Sequence, residues 1–242
     1  VDPRVEVIER RLAEIKRVIA ISSGKGGVGK SCVASLMALL LAKSGRRVGL
    51  LDLDFYGPST HVILGIRGAH PREERGIIPP EIDGIKFMSI IYYAGDRPVA
   101  LRGREVSDAM VELLVITRWG PLDLLIIDMP PGLGDTTLDA IRLLKRAEFL
   151  VVTTPSRVAL ETVRKLLQLL SELKAPVLGV IENMKASSGS SVREELEAFS
   201  VPHLGEIAFD TELEEALGDR EQLLKTVFAR DLEMILTNLA EL

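Results

Sequence analysis

The chain has a single cysteine, Cys32, and only three histidines, His61, His70 and His203, in 242 residues. One cysteine excludes an intramolecular disulfide. It also leaves thiolate-rich metal chemistry without a cluster of ligands. No apolar run approaches the roughly 20 residues needed to span a bilayer. Residues 1–17 lack the apolar centre of a signal peptide and read as a charged amphipathic helix. The formal net charge is -5, so no overall basic field draws the chain to nucleic acid or to an anionic membrane. No internal repeat, interdomain linker or low-complexity tail is visible. Together these absences predict a cytoplasmic protein with neither nucleic acid nor membrane as partner.

What is present is aliphatic and periodic. Hydrophobic residues make up 47% of the chain, enough to bury one large core. Short apolar runs alternate with longer amphipathic stretches, the pattern of a buried parallel sheet covered by helices. Strands are predicted at residues 18–22, 48–52, 85–91, 124–128, 149–153, 177–181 and 203–207. Helices are predicted at 30–43, 104–117, 136–145, 157–173, 192–199 and 220–242, with a further one at about 4–16. The fold class expected is α/β, a doubly wound, mostly parallel sheet with helices on both faces, in one domain over residues 1–242. Residues 65–84, rich in glycine, proline and arginine, are expected as a surface loop.

The segment Gly24-Lys25-Gly26-Gly27-Val28-Gly29-Lys30-Ser31-Cys32 follows an apolar strand and opens a helix, as a P-loop must. Its glycines let backbone amides turn inward onto phosphates at a helix N-terminus. Lys30 is placed on the β- and γ-phosphates and the Ser31 hydroxyl on Mg²⁺. The strand at 124–128 ends in Asp128, the Walker B carboxylate expected to hold that ion directly or through water. Asp52 and Asp54 close the strand at 48–52, and alternation puts both on one side of it. Either carboxylate could instead cap the following turn. Cys32 reads as a small helix residue. ATP and Mg²⁺ are the cofactors these motifs imply.

The lysine inside the loop, Lys25, makes the segment resemble the deviant Walker A motif of the Mrp/MinD/ParA ATPases, within the SIMIBI class of P-loop NTPases. That resemblance implies a homodimer that sandwiches ATP, with Lys25 reaching the partner's nucleotide; a solvated loop lysine is the alternative. The stretch from Asp52 to Ser59 is similar to the family's switch I, which implies that Asp54 positions the attacking water and helps organise the metal, with Asp52 in support. Met129-Pro130-Pro131-Gly132-Leu133-Gly134-Asp135 resembles switch II, with Pro131 and Gly132 beside the γ-phosphate and Leu133 where a threonine is usual. Glu182-Asn183-Met184 resembles the segment whose asparagine pairs with adenine, although Asn183 on its own reads as a turn residue. The segment Gly205 to Asp210 is similar to the family stretch that flanks the base.

Mrp-type iron–sulfur carriers usually present a Cys-x-x-Cys pair soon after the Asn-Met pair, and here Lys185-Ala186-Ser187-Ser188-Gly189 stands instead. The C-terminal helix lacks the basic excess of a membrane-directed MinD, and no basic surface suits DNA. With its added N-terminal helix, the chain resembles the ATPase-type HypB proteins. This implies an ATPase whose nucleotide state controls binding of the metallochaperone HypA, for nickel insertion during [NiFe]-hydrogenase maturation. An iron–sulfur carrier of the Mrp type and a MinD/ParA-like positioning ATPase stand as second and third readings. Any histidine could serve nickel, since imidazole suits it, or simply line a helix or the surface. Arg102, Arg104 and Trp119 mark a possible partner contact.

Overall fold

The computed structural model describes residues 3–94, 103–186 and 192–239. It opens with α1 (Pro3–Leu12), followed by β1 (Ile15–Ser22), α2 (Lys30–Lys43), β2 (Val48–Asp52) and the one-turn α3 (Thr60–Ile63). Three two-residue strands come next, β3 (Arg72–Glu73), β4 (Ile77–Ile78) and β5 (Glu81–Ile82), then β6 (Ile85–Ser89), α4 (Ile91–Ala94), α5 (Arg104–Ile116) and β7 (Leu122–Asp128). Next are α6 (Asp135–Leu143), β8 (Ala147–Thr153), α7 (Arg157–Glu172), β9 (Val177–Lys185), α8 (Val192–Glu197) and β10 (His203–Ala208). Three further helices follow: α9 (Leu213–Ala216), α10 (Arg220–Leu223) and α11 (Val227–Asn238).

Eight strands form one sheet in the order β10, β9, β8, β1, β7, β2, β6, β5. All neighbours are parallel except β5, which runs antiparallel to β6. The chain passes from β1 to β2 and back to β7 on one side, then crosses to β8 on the other. The order therefore reverses at β1, and such a switch point opens a crevice at the carboxyl ends of the strands.

Alternation along the central strands feeds two separate cores. Val18, Ala20, Leu125 and Ile127 face α1, α5, α6, α7 and α8. Ile19, Ile21, Leu124 and Ile126 face α2 and α11. Helix α2 is apolar on nearly every side because it is enclosed by the sheet on one flank and by α3 and α11 on others. The doubly wound α/β architecture expected from the sequence is thus the one observed. Among the described residues, no helix is long and apolar enough to cross a membrane.

Four expectations about elements are corrected. The N-terminal helix ends at Leu12 rather than near residue 16, because Ile15 and Lys16 already belong to β1, where Ile15 pairs with Leu122. The strand predicted at 85–91 stops at Ser89, and Ile91 starts a helical turn. Residues 65–84 are not all loop: β3 and β4 form a hairpin, and β5 extends the main sheet. The helix predicted at 220–242 is broken into α10 and α11. Thr226 causes the break, since its hydroxyl accepts the Ala229 N–H as an N-cap while donating to Leu223 O. Residues 240–242 and Arg102 lie outside the described residues.

Candidate nucleotide-binding site

The loop between β1 and α2 emerges at the switch point. Gly29 is the N-cap of α2, with φ +84° and ψ +18°, and Gly27 has φ +76°, both in the left-handed region that favours glycine. Gly24 is required for a different reason: a Cβ there would stand 2.5 Å from the backbone carbon of Thr162 on α7. Gly26 has open space around it. The loop borders a cavity of about 340 Å³ lined by Gly26, Gly27, Gly29, Lys30, Ser31, Cys32, Asp54, Ser59, Val62, Pro131 and others.

Lys30 and Asp128 meet beneath this cavity. The Lys30 ammonium donates to Asp128 Oδ1 at 2.5 Å, with the two side chains 6% and 0% exposed. Burial pushes the Asp128 carboxyl up, while Lys30 and the neighbouring Ser31 hydroxyl pull it down. Asp128 Oδ2 is buried without a hydrogen-bond partner among the described residues. An orphaned carboxylate oxygen next to Ser31 fits Mg²⁺, a hard cation that takes oxygen ligands and keeps its own waters.

The two aspartates after β2 part company. The strand ends at Asp52, so the alternation expected to align Asp52 with Asp54 does not extend to the second residue. Asp52 is fully buried beside Asp128 in the parallel register. Its Oδ1 accepts the Asp54 N–H, and its Oδ2 accepts from the Ser59 and Thr60 N–H groups and, at 2.6 Å, from the Thr60 hydroxyl. Both oxygens thereby shape the loop at 53–60, with Asp52 seated behind the metal-side carboxylate Asp128. Burial, reinforced by Asp128, pushes its carboxyl up to about 7 against those hydrogen bonds. Asp54 turns into the cavity, its Oδ1 held by the Tyr56 and Gly57 N–H groups in an Asx turn.

The remaining predicted residues fall around this centre. Pro131 lines the cavity, and Gly132, at φ +81°, donates its N–H to Ser23 O. Leu133 packs against the core on the α5 and α6 side of the sheet. Lys25 is half-buried, and its carbonyl accepts the Ser23 hydroxyl. Asn183 is buried beneath the loop, and its amide donates to Val28 O at 2.9 Å. In the stretch expected to flank the base, Phe209 is exposed, while Asp210 accepts the Phe228 N–H at the start of α11. Cys32 borders the cavity, but burial and Asp128 push its thiol up to about 11, so it stays protonated at neutral pH. Sequence reasoning missed Val62 and Leu217 as lining residues; both come from segments with no motif of their own.

Comparison with known proteins bears on this geometry. A family model described as ParA, the NUBPL iron-transfer P-loop NTPase, matches residues 14–240. The chain belongs to this family. Among curated relatives, the iron–sulfur cluster carrier protein of Pseudomonas fragi is 45% identical over 177 residues, covering 72% of the chain and 62% of the relative. The protein of the same name from Aquifex aeolicus is 42% identical over 179 residues, covering 72% and 49%. The chain thus spans only about half to three fifths of the length of these relatives. Among solved structures, an Archaeoglobus fulgidus nucleotide-binding protein in complex with ADP shares 32% identity at a TM-score of 0.77, over 90% of this chain and 92% of that one. The septum site-determining protein MinD of Pyrococcus horikoshii, complexed with Mg-ADP, has a TM-score of 0.72 at 20% identity, over 93% and 96%, a likeness of fold.

These matches support the Mrp/MinD reading and overturn the HypB one. The relatives matched over some 180 residues carry the name of iron–sulfur carriers, so the expected partnership with HypA and nickel is withdrawn. The resemblance to HypB rests on the added N-terminal helix and the missing Cys-x-x-Cys pair, and a missing ligand pair is no positive sign of another metal. Of the residues that replace it, 187–189 lie outside the described residues.

Proposed function

We propose that this chain is the ATPase domain of an iron–sulfur cluster carrier, binding Mg-ATP at the loop of residues 24–31 and hydrolysing it as a homodimer. The observation that carries the reading is the buried Lys30–Asp128 pair beneath a glycine loop at the switch point, in a chain over 40% identical to named carriers. Lys30 exchanges Asp128 for phosphate when nucleotide enters, and the loop amides with the α2 N-terminus hold the phosphate oxygens. Ser31 and Asp128 are the residues to hold Mg²⁺, which when bound neutralises charge on the phosphates. Asp54, facing the cavity, orients the attacking water, and Pro131 with Gly132 forms the γ-phosphate wall. Asn183 acts from beneath, fixing the Val28 carbonyl so that the loop keeps its shape.

Dimerisation is supported by the exposed apolar side chains Tyr56 and Val62 beside the cavity mouth, 63% and 57% exposed. A second copy would cover them and bring its Lys25 to the phosphates. The cluster is cargo, and Cys32 suits it poorly, being buried and protonated. Thiolates for the cargo therefore come from a source other than these 242 residues, and the chain supplies the nucleotide-driven change in shape.

The test is anaerobic transfer of a cluster from a loaded scaffold protein to an apo-ferredoxin, with ATP, with ADP and with Lys30→Ala. Transfer that quickens with ATP and loses this dependence in the variant is expected. Transfer indifferent to nucleotide and variant, in a chain that hydrolyses ATP normally, would refute the carrier assignment while leaving the ATPase.

A further inference from the structure

The last two strands of the sheet place a second set of ligand-type side chains apart from the nucleotide cavity. Glu206 on β10 lies in register with Glu182 on β9, and His203 begins β10. One ligand atom from each of Glu182, His203 and Glu206 lies within 4.8 Å of the others. The Glu182 and His203 side chains are 1% and 6% exposed, and Glu206 is 44% exposed, leaving one open approach. Met184, at φ +59°, turns β9 so that Lys185 returns beside Glu182.

The imidazole is the unexplained element. Its Nε2 stands 3.6 Å from Glu182 Oε2, beyond hydrogen-bonding distance, and neither ring nitrogen has a hydrogen-bond partner among the described residues. A buried polar group left unpartnered calls for an explanation, and here the ring is aimed at a carboxylate pair. The present counter-charge is Lys185, whose ammonium lies 2.8 Å from Glu182 Oε1 and 3.6 Å from Glu206 Oε1. The ammonium satisfies the carboxylates, yet it makes no hydrogen bond to either imidazole nitrogen.

We infer that Glu182, His203 and Glu206 form a binding site for a divalent first-row metal ion of the Zn²⁺ or Fe²⁺ class. One nitrogen and two carboxylate oxygens suit such borderline ions, and the nitrogen disfavours Mg²⁺ and Ca²⁺. The metal takes the place of the Lys185 ammonium as counter-ion, and Lys185 swings outward. Water completes the coordination on the open side at Glu206. The site stands independently of the carrier assignment.

Co²⁺ provides a spectroscopic probe. The chain is saturated with Mg-ADP, so that the P-loop site is filled, and titrated with Co²⁺ while visible absorption and heat are followed. One Co²⁺ per chain, with ligand-field bands and displacement by Zn²⁺, is expected. His203→Gln and Glu206→Gln should each weaken binding about tenfold or more. Lys185→Ala should tighten binding, because it removes the competing cation; a purely structural ion pair would show no such gain. Circular dichroism establishes that each variant is folded, and Glu206, half-exposed, is the substitution least able to disturb the fold. Absence of stoichiometric uptake by the wild type, or bands that persist unchanged in both the His203 and Glu206 variants, would overturn the site.

Discussion

Asp52 and Asp128 stand side by side on neighbouring strands, and the surrounding low dielectric makes two adjacent charges costly. Lys30 answers for Asp128, while Asp52 has only neutral donors within hydrogen-bonding reach, so its carboxyl keeps a proton to about pH 7 against an ordinary value of 3.8. Between those values the folded form holds a proton that the unfolded form has released. Its contribution to stability therefore falls as pH rises from about 4 to about 7, then levels off. An asparagine side chain at this position has no proton to lose, so the stability of wild type relative to Asp52→Asn should drop by on the order of 2 kcal/mol between about pH 5 and pH 8 in urea denaturation. Equal pH slopes in the two proteins would contradict this account. The glycines of the loop make a second residue-scale contrast. Gly24→Ala forces a Cβ into the Thr162 backbone and should cost about 1–3 kcal/mol, whereas Gly26→Ala meets open space and should leave the melting temperature nearly unchanged.

At the scale of elements, α1 illustrates how an ambiguous amphipathic pattern is resolved. Ile8 and Leu12 are buried against α5, Arg11 donates to Val115 O, and Arg146 donates to Leu12 O at the end of the helix. This helix is docked on the core and is not a free face for a partner. Ile8→Ala should therefore destabilise the fold by about 2–5 kcal/mol, and Glu6→Ala, on the exposed side, by less than about 0.5 kcal/mol. Comparable midpoints for the two variants in chemical denaturation would mean that α1 is not docked. Trp119 resolves in the same way: it is 1% exposed and packs where Gly49 on β2 leaves room, so it serves the core rather than a partner surface. Strand limits were legible wherever aliphatic runs met a sharp chemical change, as at Asp52 and Asp128. The break between α10 and α11 was not, because Thr226 within a helical pattern declares itself only through the cap it makes.

For the whole molecule, the decisive question is what a second copy adds. Lys25 is half-buried and is not among the residues lining the cavity, so in the proposed dimer its ammonium serves the charge on a facing subunit's nucleotide. Lys25→Ala should lower ATP turnover per site by about 10³-fold, the scale of an arginine finger, while binding of a fluorescent ADP analogue changes little. Turnover should also rise with protein concentration in the wild type. A variant that retains the wild-type rate would remove the trans role and leave Lys25 as a solvated loop lysine.

The sequence by itself determined the α/β class, the central strands, the glycine loop with Lys30 and Ser31, and Asp128 at a strand end. Each of these is a local pattern, set by side-chain alternation, backbone freedom or an abrupt change of polarity. It did not determine which motif residues share a site. Asp52 and Asp54 are two apart in sequence, yet one is sealed beneath the switch loop and the other faces the cavity, because the strand ends between them. Asn183 reaches Val28 across 155 positions, and Glu182, His203 and Glu206 meet only because β9 and β10 are neighbours in register. Strand order and burial are properties of the assembled sheet, and they alone decide which polar groups must find one another inside it.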